Sequence, residues 1–314
     1  MTAIYKPSFP HVIDSTILSA FRACPQRAFR QYIEHWKPKS KSVHLVAGAA
    51  FASGIEAARE AFFLANCSHE ECLHLGMKAL IESYGTFECP PESPKSLERM
   101  LGALEYYLAQ YPLGADGAAP VIMPNGKVGI EFSFTEPLPI DHPVTGDPIL
   151  FTGRADLIAT FAGGVYLFDE KTTSSLGQSF ASSWEMRSQF TAYSWAARKV
   201  GIPVIGTVVR GVSILKTKYD TMQIPTYRSD MEIERWESQT VRDIARMIEC
   251  YDEGYWDYSL DGACVDYNRP CMFTKSCKSP SPETWLETDF ERRVWVPQER
   301  KEMTVEEYEE NWKS

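Results

Sequence analysis

The sequence has no run approaching the roughly 20 apolar residues that a membrane span needs, so a helical membrane protein is excluded as an expectation. Its opening, MTAIYKPSFPHVIDS, lacks the basic-then-apolar plan of a secretory leader. A cytoplasmic protein that makes no use of a membrane is therefore expected. An excess of positive charge is also missing: 32 Lys and Arg stand against 42 Asp and Glu, a formal net charge of −10. That balance argues against a protein that coats nucleic acid non-specifically, because phosphate binding draws on clustered cations. No internal repeat is found. Nor do the eight cysteines, in a reducing compartment, amount to a disulfide framework; each is a buried thiol, a metal ligand or a reactive group.

What is present is a globular composition. A chain of 314 residues with 44% hydrophobic and 12% aromatic content buries a substantial core, as one large domain or two modest ones. Charge is polarised along it. Between Arg22 and Lys41 stand Arg22, Arg27, Arg30, Lys37, Lys39 and Lys41 against the single acid Glu34, whereas the C-terminus is rich in Glu. Two readings of the basic segment stay open, a solvated helix and loop or a DNA-contacting face centred on Arg27 and Arg30.

Periodicity divides the chain into three parts. Residues 1–125 are helical, with a helix from a Ser15 cap to about Trp36, another over Val46–Leu64, and two more near 69–84 and 95–110. Pro112, Gly114, Gly117, Pro120 and Pro124 then mark a boundary. In residues 126–228 the period changes, because Val128, Ile130, Phe132 and Phe134 alternate with smaller or polar residues. After a turn over 137–148, strands are expected at 149–160 and 165–171, joined by a Gly163-Gly164 hairpin. A helix over about 182–200 and strands at 204–215 and 221–226 complete a mixed α/β core of about 100 residues. Residues 229–314 hold a long helix over 231–251, a cysteine-bearing segment and an acidic tail.

The chemistry should sit on that core. Strand geometry puts Val165, Leu167, Asp169 and Lys171 on one face of VYLFDEK, with Tyr166, Phe168 and Glu170 on the other. The preceding strand, FTGRADLIA, carries Asp156 in a mostly apolar run, and the hairpin pairs the two strands antiparallel. Carboxylates so placed repel each other unless a cation lies between them, and an oxygen-only pair suits Mg²⁺ or Mn²⁺ better than zinc. Such an ion binds substrate phosphate, which makes phosphodiester hydrolysis the natural reaction. The competing reading of an isolated D-x-K tripeptide is a salt bridge at a strand end.

Gly153-Arg154-Ala155-Asp156, Asp169-Glu170-Lys171 and Gln189-x-x-x-Tyr193 together resemble the PD-(D/E)XK nuclease superfamily. Within it they resemble the RecB-like exonuclease group that includes phage and CRISPR-adaptation nucleases. Glu131, one strand earlier, also falls where these proteins often carry an acid. The resemblance implies a restriction-endonuclease-like mixed sheet flanked by helical segments, acting on DNA in a bacterial host cell. It implies that Asp156 and Asp169 are metal ligands, that the Glu170 carbonyl completes the shell, and that Lys171 orients or deprotonates the attacking water. Gln189 and Tyr193, at i and i+4 on one helix face, are then directed at the site and the DNA strand. The group often begins its metal site with G-x-x-x-H-x-x-x-E on an early helix; here Gly48, Ala52 and Glu56 occupy those places, so a methyl group stands where the histidine should be. Glu56 is either a substitute oxygen ligand or a surface acid.

Cys264, Cys271 and Cys277 are spaced by six and five residues in a polar segment, where bland cysteines are rare. With the remote Cys24 they resemble the ligand set of the iron–sulfur subset of the same group, which implies one [4Fe–4S] cluster tying the two ends of the chain. The subset commonly has a gap of two residues where this chain has six. A Cys₄ zinc site and unligated thiols are the alternatives. Cys67, Cys72, Cys89 and Cys250 show no metal-like clustering. Three functions follow: an exonuclease processing DNA ends beside a recombinase or single-strand annealing protein, a DNA-binding module that has lost catalysis, or an endonuclease with the same centre.

Overall fold

The computed structural model describes residues 8–260, 262–266 and 269–312. Its chain order begins with β1 (Val12–Asp14), α1 (Ser15–Ala23), α2 (Pro25–Ala28), a π-helical turn (Phe29–Ile33) and β2 (Trp36–Pro38). Three longer helices follow, α3 (Val43–Phe63), α4 (His69–Tyr84) and α5 (Leu97–Gln110). Next come β3 (Ala119–Pro120), β4 (Ile130–Asp141), β5 (Pro148–Phe161), β6 (Gly164–Thr173), α6 (Gln178–Ser182), α7 (Ser188–Lys199), β7 (Val204–Ile214), β8 (Tyr219–Tyr227) and α8 (Asp230–Glu253). The C-terminal part holds β9 (Val265–Asp266), β10 (Arg269–Pro270), α9 (Thr274–Lys278), α10 (Pro282–Asp289), β11 (Phe290–Arg292), β12 (Val294–Val296), β13 (Lys301–Met303) and α11 (Val305–Trp312). Among the described residues no helix is long and apolar enough to cross a membrane. The chain forms two compact units interleaved in sequence, the first from residues 1–40, 134–153 and 235–314, the second from residues 41–133 and 154–234.

The second unit carries a mixed sheet. β5 and β6 are antiparallel with Leu157 opposite Phe168, and the chain reverses between them at Ala162 and Gly163, both at positive φ. β6 runs parallel to β7, setting Asp169 beside Val209 and Lys171 beside Gly211, and β7 is antiparallel to β8. A parallel neighbour needs a crossover, which α6 and α7 supply. On one side the buried residues of α3, α4 and α5, among them Phe51, Leu80, Leu104 and Tyr107, pack with Val212 and Ile214 of β7. Helices α3 and α4 approach so closely that a Cβ on Gly76 would meet the Gly54 carbonyl oxygen at 2.7 Å. Helix α7 packs against β7 and buries Phe190, Tyr193 and Trp195.

In the first unit β1 lies parallel to the start of β5, with Asp14 beside Thr152. The Asp14 carboxylate caps α1, accepting from the amides of Thr16 at 2.9 Å and Ile17 at 2.8 Å, and also accepts from the Trp295 indole at 2.9 Å. Chain ends are joined further by the antiparallel pair β2–β11 and by Arg22, which bonds Asp243 at 2.7 Å.

Three expectations are corrected here. The helix expected from Ser15 to Trp36 is capped by Asp14 and stops at Ala23, because Pro25 lacks an amide proton and forces Cys24 into extended backbone. The strand expected to end near Thr135 runs on to Asp141; Pro137 and Pro139 put both missing amide protons on one edge of β4 and leave the other edge free to pair. The helix expected from Ser182 starts at Ser188, since Arg228 reaches across from the end of β8 to bond the Trp184 carbonyl at 3.0 Å and the Thr191 hydroxyl at 2.9 Å. A partner 37 residues away leaves no periodicity to read.

Candidate functional site

Asp156, Asp169 and Lys171 are brought together in the second unit. The register of β5 and β6, stepped one residue beyond Leu157–Phe168, sets Asp156 against Asp169. The two strands are also linked through a side chain, as the Glu170 amide donates to Asp156 Oδ2 at 3.2 Å. The Asp169 carboxylate is 2% exposed and pairs with the half-buried Lys171 ammonium. A buried acid and a lysine thus leave the same face of one strand, with a second acid at the adjacent position of its neighbour.

Glu170 leaves the opposite face. Its carboxylate accepts from both terminal nitrogens of Arg59 on α3, one at 3.1 Å, and from the Tyr107 hydroxyl on α5 at 2.8 Å. Burial would push this carboxyl up, but the Arg59 guanidinium, with Arg210 and Tyr107 behind it, holds it below the ordinary carboxylate range. Its side chain is thus occupied; only its carbonyl is left for the ligand role the sequence reading gave it. The Tyr107 phenol is in turn pushed up, by burial and then by Glu170.

Helix α7 places Gln189 and Tyr193 one turn apart, and the Gln189 amide donates to the Tyr193 hydroxyl at 2.7 Å. Glu56 is half-buried on α3 one turn before Arg59, and Ala52, a turn earlier, is exposed. Glu131 forms an ion pair with Arg154 of the Gly153–Asp156 motif at 2.7 Å, and its backbone sits at a φ of 52°. Among the described residues, no three His, Cys, Asp or Glu side chains close on one point as a ready-made metal site. The donor set of Asp156 and Asp169 still fits a hard divalent ion, being all oxygen and having Lys171 beside it to offset like charge.

The four cysteines singled out by spacing all lie in the first unit, but among the described residues no three of them stand as a group that could hold a metal. Burial pushes the Cys277 thiol up, and Cys271, Cys24 and Cys264 act on it in the same direction, with Arg30 opposing. All four are free thiols, and the Cys271 amide donates to the Cys264 carbonyl at 2.8 Å. Thiolates as a donor class suit a soft metal or cluster. Arg30 is bonded to Glu34 and Arg27 to the Gln31 amide oxygen at 3.1 Å, so both guanidinium groups already have protein partners.

Sequence reasoning missed the residues behind β6. Arg210 bonds Asp116 at 2.6 Å and Gln223 at 2.9 Å and lies in the same buried row as Glu170. A lone arginine in the apolar run VIGTVVRGVSI was the available signal.

The family model of the PD-(D/E)XK nuclease superfamily matches residues 15–278 of this chain. Among solved structures the chain is similar to that of a candidate exonuclease from Eubacterium rectale, at 14% identity and a TM-score of 0.49 over 83% of this chain and 89% of the other. It is also similar to SSO0001, at 12% identity and a TM-score of 0.32 over 79% of each chain. No curated protein matches it.

Proposed function

This chain belongs to the PD-(D/E)XK nuclease superfamily, and we propose that it is a Mg²⁺- or Mn²⁺-dependent exonuclease that hydrolyses DNA from an end. The observation that supports this most is the join at Asp156, whose carboxylate accepts the Glu170 amide between Asp169 and Lys171. Asp156 and Asp169 would hold the divalent ion, with the Glu170 carbonyl beside them; bound there, it supplies acidity to a water molecule and offsets charge on the phosphate. Lys171, already against Asp169, orients the attacking water and takes part in removing its proton as the phosphorus–oxygen bond to the leaving nucleotide breaks. Gln189, half-buried and bonded to the buried Tyr193 hydroxyl, is the member of that pair this reading directs at the DNA strand, and the pairing supports the RecB-like assignment. Arg27 and Arg30 are the phosphate contacts this reading expects in the first unit. A [4Fe–4S] cluster on Cys24, Cys264, Cys271 and Cys277, and work beside a recombinase or single-strand annealing protein, complete it.

The test incubates anaerobically purified protein with end-labelled DNA in Mg²⁺ or Mn²⁺ and follows products over time. Mononucleotides released from one end support the reading. Internal fragments point to an endonuclease, and binding without cleavage to a silent module; either result rejects it.

Glu56 is assigned as a further oxygen near the ion, directly or through a water. Glu56→Gln keeps an oxygen and loses its charge, so the Mg²⁺ needed for half-maximal activity should rise by about threefold or more, with partial rescue by Mn²⁺. A titration curve overlaying wild type would return Glu56 to the surface.

A further inference from the structure

On the face of β6 opposite Asp169 and Lys171, four charged side chains are buried as two pairs, Arg59 with Glu170 and Arg210 with Asp116. Arg59 is 2% exposed and Arg210 is 1% exposed. Arg210 is also sandwiched between rings, 4.2 Å from the centroid of Tyr111 and 4.7 Å from that of Phe168. Two cations and two anions balance, so the row is electrically complete. Yet replacing buried ion pairs by apolar residues of like volume is often neutral or stabilising, so stability alone is a poor reason to keep it.

What such a pair supplies is direction. A guanidinium held to a carboxylate at two points fixes its orientation as well as its distance, which a lysine cannot do. Here the carboxylate so fixed belongs to the residue between Asp169 and Lys171. The same residue's amide donates to Asp156 Oδ2. Arg59 also acts electrostatically on Asp156 itself. One anchored side chain therefore fixes the stretch of β6 from which Asp169 and Lys171 depart and whose Glu170 amide holds the Asp156 carboxylate of β5.

We propose that Arg59 is a positioning residue of the nuclease centre, gripping Glu170 from α3 so that Asp156, Asp169 and Lys171 keep the geometry the reaction needs. The inference rests on the assignment of those three residues in the proposed function. It adds a role for a residue that touches neither metal nor DNA.

Two variants test it. Arg59→Lys keeps the charge and gives up the two-point grip; Tyr107→Phe removes one donor to Glu170 with little change of volume. For each folded variant, kcat and KM are measured on end-labelled DNA at saturating Mg²⁺, and Mn²⁺ binding is measured by calorimetry without DNA. Arg59→Lys should lose about tenfold or more in kcat with KM within about twofold of wild type, because small displacements at the reacting centre are costly. Tyr107→Phe should lose about two- to fivefold. Mn²⁺ affinity should weaken several-fold in both. Should Arg59→Lys fail to fold, Tyr107→Phe decides alone. Folded variants that bind Mn²⁺ and turn over as wild type does would reduce Arg59 to a structural residue. Lys171→Ala, run in parallel, separates the two claims: if it is inactive while the Arg59 and Tyr107 variants are normal, only the positioning role fails. If Lys171→Ala is active, the centre fails and the positioning role with it.

Discussion

Replacing Lys171 by alanine is expected to lower metal-dependent DNA hydrolysis by on the order of 10²–10⁴-fold, the range for a positioned proton-transfer group. The protein should still fold, because Lys171 is only half-buried and its ion pair with Asp169 faces away from the row that anchors β6. DNA affinity in Ca²⁺ should stay within about threefold, since the lysine acts on the attacking water and contributes little to ground-state binding. Asp169→Asn should be at least as damaging: it keeps the shape but removes a charge that both the ion and Lys171 need. The measurement is kcat on end-labelled DNA alongside a binding isotherm and a thermal melt. Near wild-type cleavage by Lys171→Ala would leave Asp169–Lys171 as the strand-end salt bridge that the bare tripeptide also allows.

Loss of Cys24 should have the second large effect, on a different observable. Protein prepared without oxygen is expected to carry about four iron and four sulfide per chain, and Cys24→Ala to lose most of both along with the visible absorption. Cys24 sits between α1 and α2, whereas Cys264, Cys271 and Cys277 lie in the C-terminal segment, so under the proposed cluster one missing thiolate would remove one tie between the chain ends. The melting temperature should fall by several degrees, as metal or cluster binding energy is folding energy. The fall should be partial, because β2–β11 and the Asp14–Trp295 bond still join the same segments. One zinc per chain and no iron in anaerobically prepared protein would replace the cluster by a Cys₄ zinc site.

The strands of the candidate site were legible because their signals are local. The two-residue period of VYLFDEK assigns Asp169 and Lys171 to one face and Glu170 to the other, and the structure places Glu170 opposite them, against Arg59 and Tyr107. The hairpin was likewise signalled by Gly163-Gly164, although the chain turns one residue earlier, at Ala162 and Gly163, and Gly164 already begins β6. What the sequence concealed depends on partners distant along the chain. Nothing near Glu170 announces that Arg59, 111 residues earlier, will take its carboxylate. The Arg228 contacts that delay the start of α7 are equally non-local. Cys24 and Pro25 were a local signal passed over, since a proline so placed ends the preceding helix.

The central claim, that Asp156 and Asp169 together hold the ion of a nuclease centre, is tested most directly by locating that ion. Crystals of Lys171→Ala protein with DNA and Mn²⁺ would be measured at the manganese absorption edge. The account predicts an anomalous peak with carboxylate oxygens of both Asp156 and Asp169 at about 2.1 Å and a DNA phosphate on its open side. A peak bound by neither aspartate, or none at a Mn²⁺ concentration that supports wild-type cleavage, would contradict it.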